Sequence, residues 1–156
     1  MRSRGLVSRW VSALALVTIA ASCHHAAPAA SSSGSAAATP SLYQRLGGET
    51  GVRAVASQLV DNIAGDTRIS HFFADSDLPA LKTSLATLIG QSTGGPEKYA
   101  GRDMKTTHAG LGIHDTDFDA LIEDLGKALD QNHVADKEKA ELIAILMPLK
   151  RDIVER

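Results

Sequence analysis

The stretch MKTTHAGLGIHDTDF, residues 104–118, ends a short amphipathic segment on His108 and follows it with Gly110 and Gly112. The glycines suit a tight turn, because a residue without a Cβ adopts backbone conformations closed to the others. Nothing about a turn calls for an imidazole. Two kinds of chemistry do: a solvated cap whose charge complements the helix dipole, or a ligand nitrogen for something the chain folds around. Met104 lies one helical turn earlier on the same face and supplies a soft apolar contact. Of the other histidines beyond the N-terminal stretch, His114 and His133 read as surface or turn residues, while His71, directly before Phe72, keeps a second-ligand reading.

The elements that must position His108 are helical. Val52, Val55, Leu59 and Ile63 recur at spacings of three and four, with Ala56 and Val60 beside them. Leu78, Leu81, Leu85, Leu88 and Ile89 form a second stripe, opened by Pro79 at a tolerated first-turn position. Phe118, Leu121, Ile122, Leu125 and Leu129 make a third, with Asp115 or Thr116 available as its cap. Leu142, Ile145, Leu146, Leu149 and Ile153 make a fourth, which Pro148 is expected to kink. Alternating strand patterns are absent, so the class is all-α. A simple four-helix bundle prefers short loops, yet residues 90–113 form a long, glycine-punctuated connection of the kind that is usually functional.

Residues 1–22 read as an export signal: Arg2, Arg4 and Arg9, then an apolar run from Trp10 to Ala21. That run is too short to span a bilayer comfortably, which takes about 20 apolar residues. Cys23, the only cysteine, follows small residues and resembles the lipidated cysteine of a bacterial lipobox, although Ala20 stands where a larger aliphatic residue is usual. Cleavage by an ordinary signal peptidase, leaving a free thiol, is the alternative; on both readings the chain is exported, and one cysteine permits no internal disulfide. Residues 23–40, rich in Ala, Ser and Pro, make a tether that contains His24 and His25. The folded domain is expected over 41–156, where thirteen basic side chains face eighteen acidic ones, a net of −5. Such a body offers no basic face to a phosphate backbone, and a nucleic-acid partner is not expected.

Four stretches in one order, SLYQRLGGETGVRAV (41–55), HFFAD (71–75), GGPEKYAGRDM (94–104) and HAGLGI (108–113), resemble the group 1 truncated haemoglobins. The resemblance covers essentially all of 41–156 and implies a two-over-two helical sandwich around haem b (iron protoporphyrin IX). It places His108 as the proximal iron ligand, Phe73 on the porphyrin with Phe72 beside it, and Leu81 and Leu85 on the distal helix. Met104, Ile113 and Phe118 fall at positions lining the proximal side, and Gly47, Gly48, Gly94 and Gly95 match the glycines that end the shortened helices. The residue types agree with this: haem iron takes a neutral imidazole whose second nitrogen needs an acceptor to fix the tautomer. Arg102 and Lys82 are propionate partners by position alone.

The sequence departs from that family on the distal side. Val60 stands where a tyrosine is common, and Leu85 where a glutamine is common, so with Leu81 the distal pocket reads as apolar. Ser84 or Gln58 would replace the missing donors only if turned inward, and both read as flank or surface. Bound O₂ is more polar than bound CO, and a hydrogen bond to a charged group contributes about 1.5–3 kcal/mol, so loss of two donors speeds O₂ release by one or more factors of ten. The reading is reversible binding of O₂, NO or CO, a ligand-binding protein rather than an enzyme. The alternatives are NO dioxygenation or weak peroxidase activity with an external reductase, since no flavin or nicotinamide motif is present, and a haem-free helical interaction module. Contact with a membrane is expected only through a lipid on Cys23, with the domain facing the periplasm or cell exterior.

Overall fold

A computed structural model describes residues 39–155; the export signal, Cys23 and all but the end of the tether lie outside the described residues. Ser41 opens the fold: its hydroxyl accepts from the Gln44 amide while the Gln44 side chain accepts from the Ser41 amide, a capping box for α1, Leu42–Arg45. Helix α2, Gly48–Gly65, follows after the two-residue turn Leu46 and Gly47. The junction is made possible by Gly47, at φ +92°, and by Gly51, where any Cβ would collide with the Leu46 carbonyl oxygen. Asp77 caps α3, Leu78–Ser92, by accepting from the Ala80 amide at 2.9 Å, with Pro79 in the first turn.

The periodic stripes become packed faces. Helix α2 lies against both α3 and α5, Asp115–Gln131, and buries Val52, Val55, Ala56, Leu59, Val60 and Ile63. Leu125, Ala128 and Leu129 of α5 and Leu142 of α6, Asp136–Leu146, complete the larger core. A smaller cluster of Ile113, Phe118 and Ile153 sits beside it. Asp115 is the first residue of α5 and not its cap: Asp117 reaches back to accept from the His114 amide at 2.8 Å. Pro148 interrupts the fourth stripe outright, with a 3₁₀ turn over Met147–Leu149 separating α6 from α7, Lys150–Ile153. No helix among the described residues is long and apolar enough to cross a membrane.

Between α3 and α4, Met104–His108, the chain runs without regular structure and is pinned at both ends. Tyr43 donates its hydroxyl to Glu97 at 2.6 Å, and Gly90 and Gly95 leave the space the Glu97 carboxylate fills. Further along, the Gln91 side chain accepts from the Tyr99 amide at 2.8 Å, and Tyr99 donates its hydroxyl to the Arg102 carbonyl at 3.2 Å. The Glu97 hydrogen bond, with burial, pushes the Tyr43 phenol up to about 12. The fold thus favours neutral Tyr43: its contribution is complete below the ordinary phenol value, about 10, and is lost as the pH rises towards about 12. Ultraviolet titration of tyrosinate in the haem-free protein is expected to show Tyr43 ionising late, and Glu97→Ala to return it towards ordinary behaviour. An unchanged titration curve in that variant would contradict the assignment.

Candidate functional site

Helix α4 is only five residues long and is built to hold one ring. Asp103 caps it, accepting from the Thr106 amide at 2.8 Å, and this bonding holds the Asp103 carboxyl below its usual range. At the other end, the half-buried His108 directs Nδ1 at the Met104 carbonyl oxygen, 2.7 Å away. A carbonyl can only accept, so Nδ1 carries the hydrogen and, in the neutral ring, Nε2 keeps a free lone pair. Gly110 and Gly112, at φ +82° and +68°, turn the chain sharply after it. The Glu155 carboxylate accepts from the Gly110 amide, and the Ile113 carbonyl accepts from the Glu155 amide at 2.9 Å, tying this turn to the chain end after α7.

His108 opens onto a cavity of about 160 Å³. Leu59 and Ile63 of α2 contribute to its wall, as do Leu81, Ser84, Leu85, Leu88 and Ile89 of α3. Phe73 and Tyr99 come from the connecting segments, and Met104, Thr107 and His108 from α4. Phe118 and Leu121 of α5 are joined there by Leu149 and Ile153 from the chain end. Behind Phe118, the Lys150 ammonium lies 5.6 Å from the ring centroid and pairs with Asp115 and Asp119 at 3.0 and 2.9 Å. The cavity is mostly hydrocarbon, with a single imidazole whose Nε2 is free to bind a metal.

The structure brings Phe73, Leu81, Leu85, Met104, His108 and Phe118 together on this wall. Val60, Phe72 and Ile113, also singled out from the sequence, lie off it. Val60 is fully enclosed, because α2 offers Leu59 and Ile63, one turn apart, to the cavity, and the next residue along is rotated by about 100°. Phe72 packs between the two apolar clusters instead of beside Phe73, since adjacent residues of the 3₁₀ turn Ser70–Phe73 diverge. Ile113 anchors the smaller cluster with its side chain. Of the two candidate donors, Ser84 is on the wall, whereas Gln58 donates to Asn62 at 3.1 Å and is not. Lys82 is committed to Asp61 at 2.7 Å, and exposed His71 lies against the Phe72 ring, off the cavity. Tyr99 and Thr107 are wall residues the sequence did not single out; their hydroxyls go to the Arg102 and Asp103 carbonyls.

A family model described as bacterial-like globin matches residues 41–155. The chain belongs to that family. It is 36% identical over 102 residues to the group 1 truncated hemoglobin GlbN of a Nostoc species, covering 65% of this chain and 86% of the relative. It is 34% identical over 121 residues to the Synechocystis GlbN, covering 74% and 98%. Among solved structures, the truncated hemoglobin of Tetrahymena pyriformis in its Fe(III) form superposes with a TM-score of 0.72 at 26% identity, covering 75% of this chain and all of that one. The 2/2 hemoglobin of a Synechococcus species, with covalently attached heme, superposes with a TM-score of 0.70 at 26% identity and the same coverage. The helices described above form the globin's two-over-two sandwich, and haem b is the cofactor of such a fold. The residues present fit it: a flat apolar group suits the hydrocarbon walls, and a neutral imidazole with a bare Nε2 suits iron.

The hydrogen bond to Met104 makes the tautomer of His108 a measurable property. Nitrogen-15 spectra of the haem-free protein near neutral pH are expected to show His108 with hydrogen on Nδ1 and none on Nε2. The opposite tautomer would remove the basis for metal ligation by this ring.

Proposed function

We propose that this globin binds haem b through His108 Nε2 and uses it to take up a diatomic ligand reversibly: O₂, NO or CO. The observation that carries this reading is the His108 Nδ1 bond to the Met104 carbonyl at 2.7 Å on the wall of an apolar cavity. Haem iron, when bound, supplies the position at which such a ligand is held. This chain's residues do the remaining work. His108 ligates; Phe73, Met104 and Phe118 enclose the porphyrin; Leu81, Leu85 and Leu88 exclude water from the ligand side. With hydrocarbon at Leu81, Leu85 and Leu88, and the Tyr99 hydroxyl spent on the Arg102 carbonyl, release of O₂ is fast relative to a site holding it with two donors.

Reversible binding is favoured over turnover of NO or peroxide. Chemistry at an O–O bond draws on polar groups around the ligand, and α3 contributes hydrocarbon and one hydroxyl to the wall. A haem-free role would leave the free Nε2 and the open apolar cavity without purpose.

Export belongs to the same proposal and rests on the sequence alone. A signal over residues 1–22 followed by lipid on Cys23 would hang the globin from a membrane, facing the periplasm or cell exterior, on a tether with a typical reach of roughly 20–25 Å. Any reductant for the iron would then come from an external partner.

Two measurements test these readings. Protein purified from haem-supplied cells is expected to show a Soret band that shifts with CO after reduction, and His108→Ala to lose it. A helical protein without that band would overturn haem binding. Fractionated cells are expected to hold the globin in the membrane fraction and to release it on Cys23→Ala; persistence in the membrane would refute the anchor.

A further inference from the structure

Leu81, Leu85 and Leu88 of α3 line the cavity, and so do Met104, Thr107 and His108 of α4. The chain that joins these two helices therefore passes round the cavity rim, and from its middle it sends Tyr99 onto the wall. Among the described residues, no backbone–backbone hydrogen bond secures residues 96–102. Two hydrogen bonds reach them from the rest of the fold. One runs from the Tyr99 amide to the exposed Gln91 side chain at 2.8 Å, where water competes for both partners. The other runs from the Tyr43 hydroxyl to Glu97 at 2.6 Å, is half-buried, and spans 54 residues of sequence. Gly90 and Gly95 make the slot for this carboxylate, since a Cβ on either would collide with Glu97 Oε2. That oxygen is enclosed and has no partner. Among the described residues, the Tyr43 hydroxyl is thus the one donor that Glu97 has. Without it, both oxygens would stand unbonded in the slot, and the cost of withholding them from water would drive the carboxylate out.

We infer that Tyr43 and Glu97 are positioning residues for the cofactor: their hydrogen bond moors residues 96–102 at the cavity rim and sets the rate at which haem leaves. This rests on the haem reading above and deepens it. Neither side chain lines the cavity, so the bond acts through the chain, with Tyr99 two residues beyond Glu97. Breaking it leaves the His108 bond to Met104 in place. The iron keeps its ligand while the rim opens.

The test transfers haem from the loaded protein to an excess of haem-free myoglobin. In parallel it follows tryptic cleavage after Lys98 and Arg102, both exposed on the moored segment. Tyr43→Phe, which keeps the ring, is expected to lose haem roughly tenfold faster. It is also expected to be cut faster at both sites, with the Soret band unchanged. Glu97→Gln keeps an acceptor without the charge and is expected to fall between wild type and Tyr43→Phe in both assays. Arg45→Gln removes a different half-buried link from α1, to Glu138 and Glu141 of α6, and is expected to match wild type. Unchanged haem loss in Tyr43→Phe, or the same acceleration in Arg45→Gln, overturns the control of haem release. Unchanged cleavage in Tyr43→Phe overturns the mooring. Absence of a Soret band from wild type overturns the haem reading, and the control of haem release with it.

Discussion

An imidazole can offer a lone pair to a metal only when its other nitrogen holds the proton and points elsewhere. In this globin that condition is met by one bond, from His108 Nδ1 to the Met104 carbonyl within the same turn. The acceptor is backbone, so what must be kept is the helical turn itself. Five residues do not make a stable helix in isolation, and α4 is correspondingly braced from outside. Asp103 satisfies its first turn, and two hydrogen bonds to Glu155 hold the glycine turn that follows. Packing of α4 against α7 adds the apolar contact. The tautomer of one ring thus depends on the last helix of the chain.

The same arrangement gives His108 an apolar wall to face. Leu81, Leu85 and Leu88 are only half-buried, although their spacing on α3 is that of core residues. An occupant of this cavity adds contacts to those side chains and stabilises the folded chain by mass action. The frame that carries this wall is the α2–α5 contact and its extension to Leu142, where the residues are almost fully enclosed.

The stripes on α2, α3 and α5 were legible in the sequence because helical periodicity records which side faces inward. Its resolution stops at the single residue. Val60 and Leu59 are neighbours in the sequence and both buried, and only tertiary packing decides that Leu59 faces the cavity. Phe72 and Phe73 pose the same problem in a 3₁₀ turn. His108 was legible because its chemistry has no use in a turn. Ile113 matters through its carbonyl as well as its side chain, and a backbone contact leaves no trace in residue type. Gly51 has the opposite character: one missing Cβ decides whether α2 can follow α1 after so short a turn, yet a glycine in the fourth position of a helix carries no periodic signal. Tyr99 reaches the wall from an irregular segment, where no periodicity exists to read.

The apolar wall and the one open imidazole nitrogen are one design seen from two sides. In a cavity lined with many donors, removal of one is compensated by the others and by water. Hydrocarbon walls remove that compensation, and they weaken the screening that would make a hydroxyl dipole inconsequential. Among the half-buried polar side chains of this wall, Tyr99 and Thr107 spend their hydroxyls on the Arg102 and Asp103 carbonyls, so the atom left unbonded is His108 Nε2.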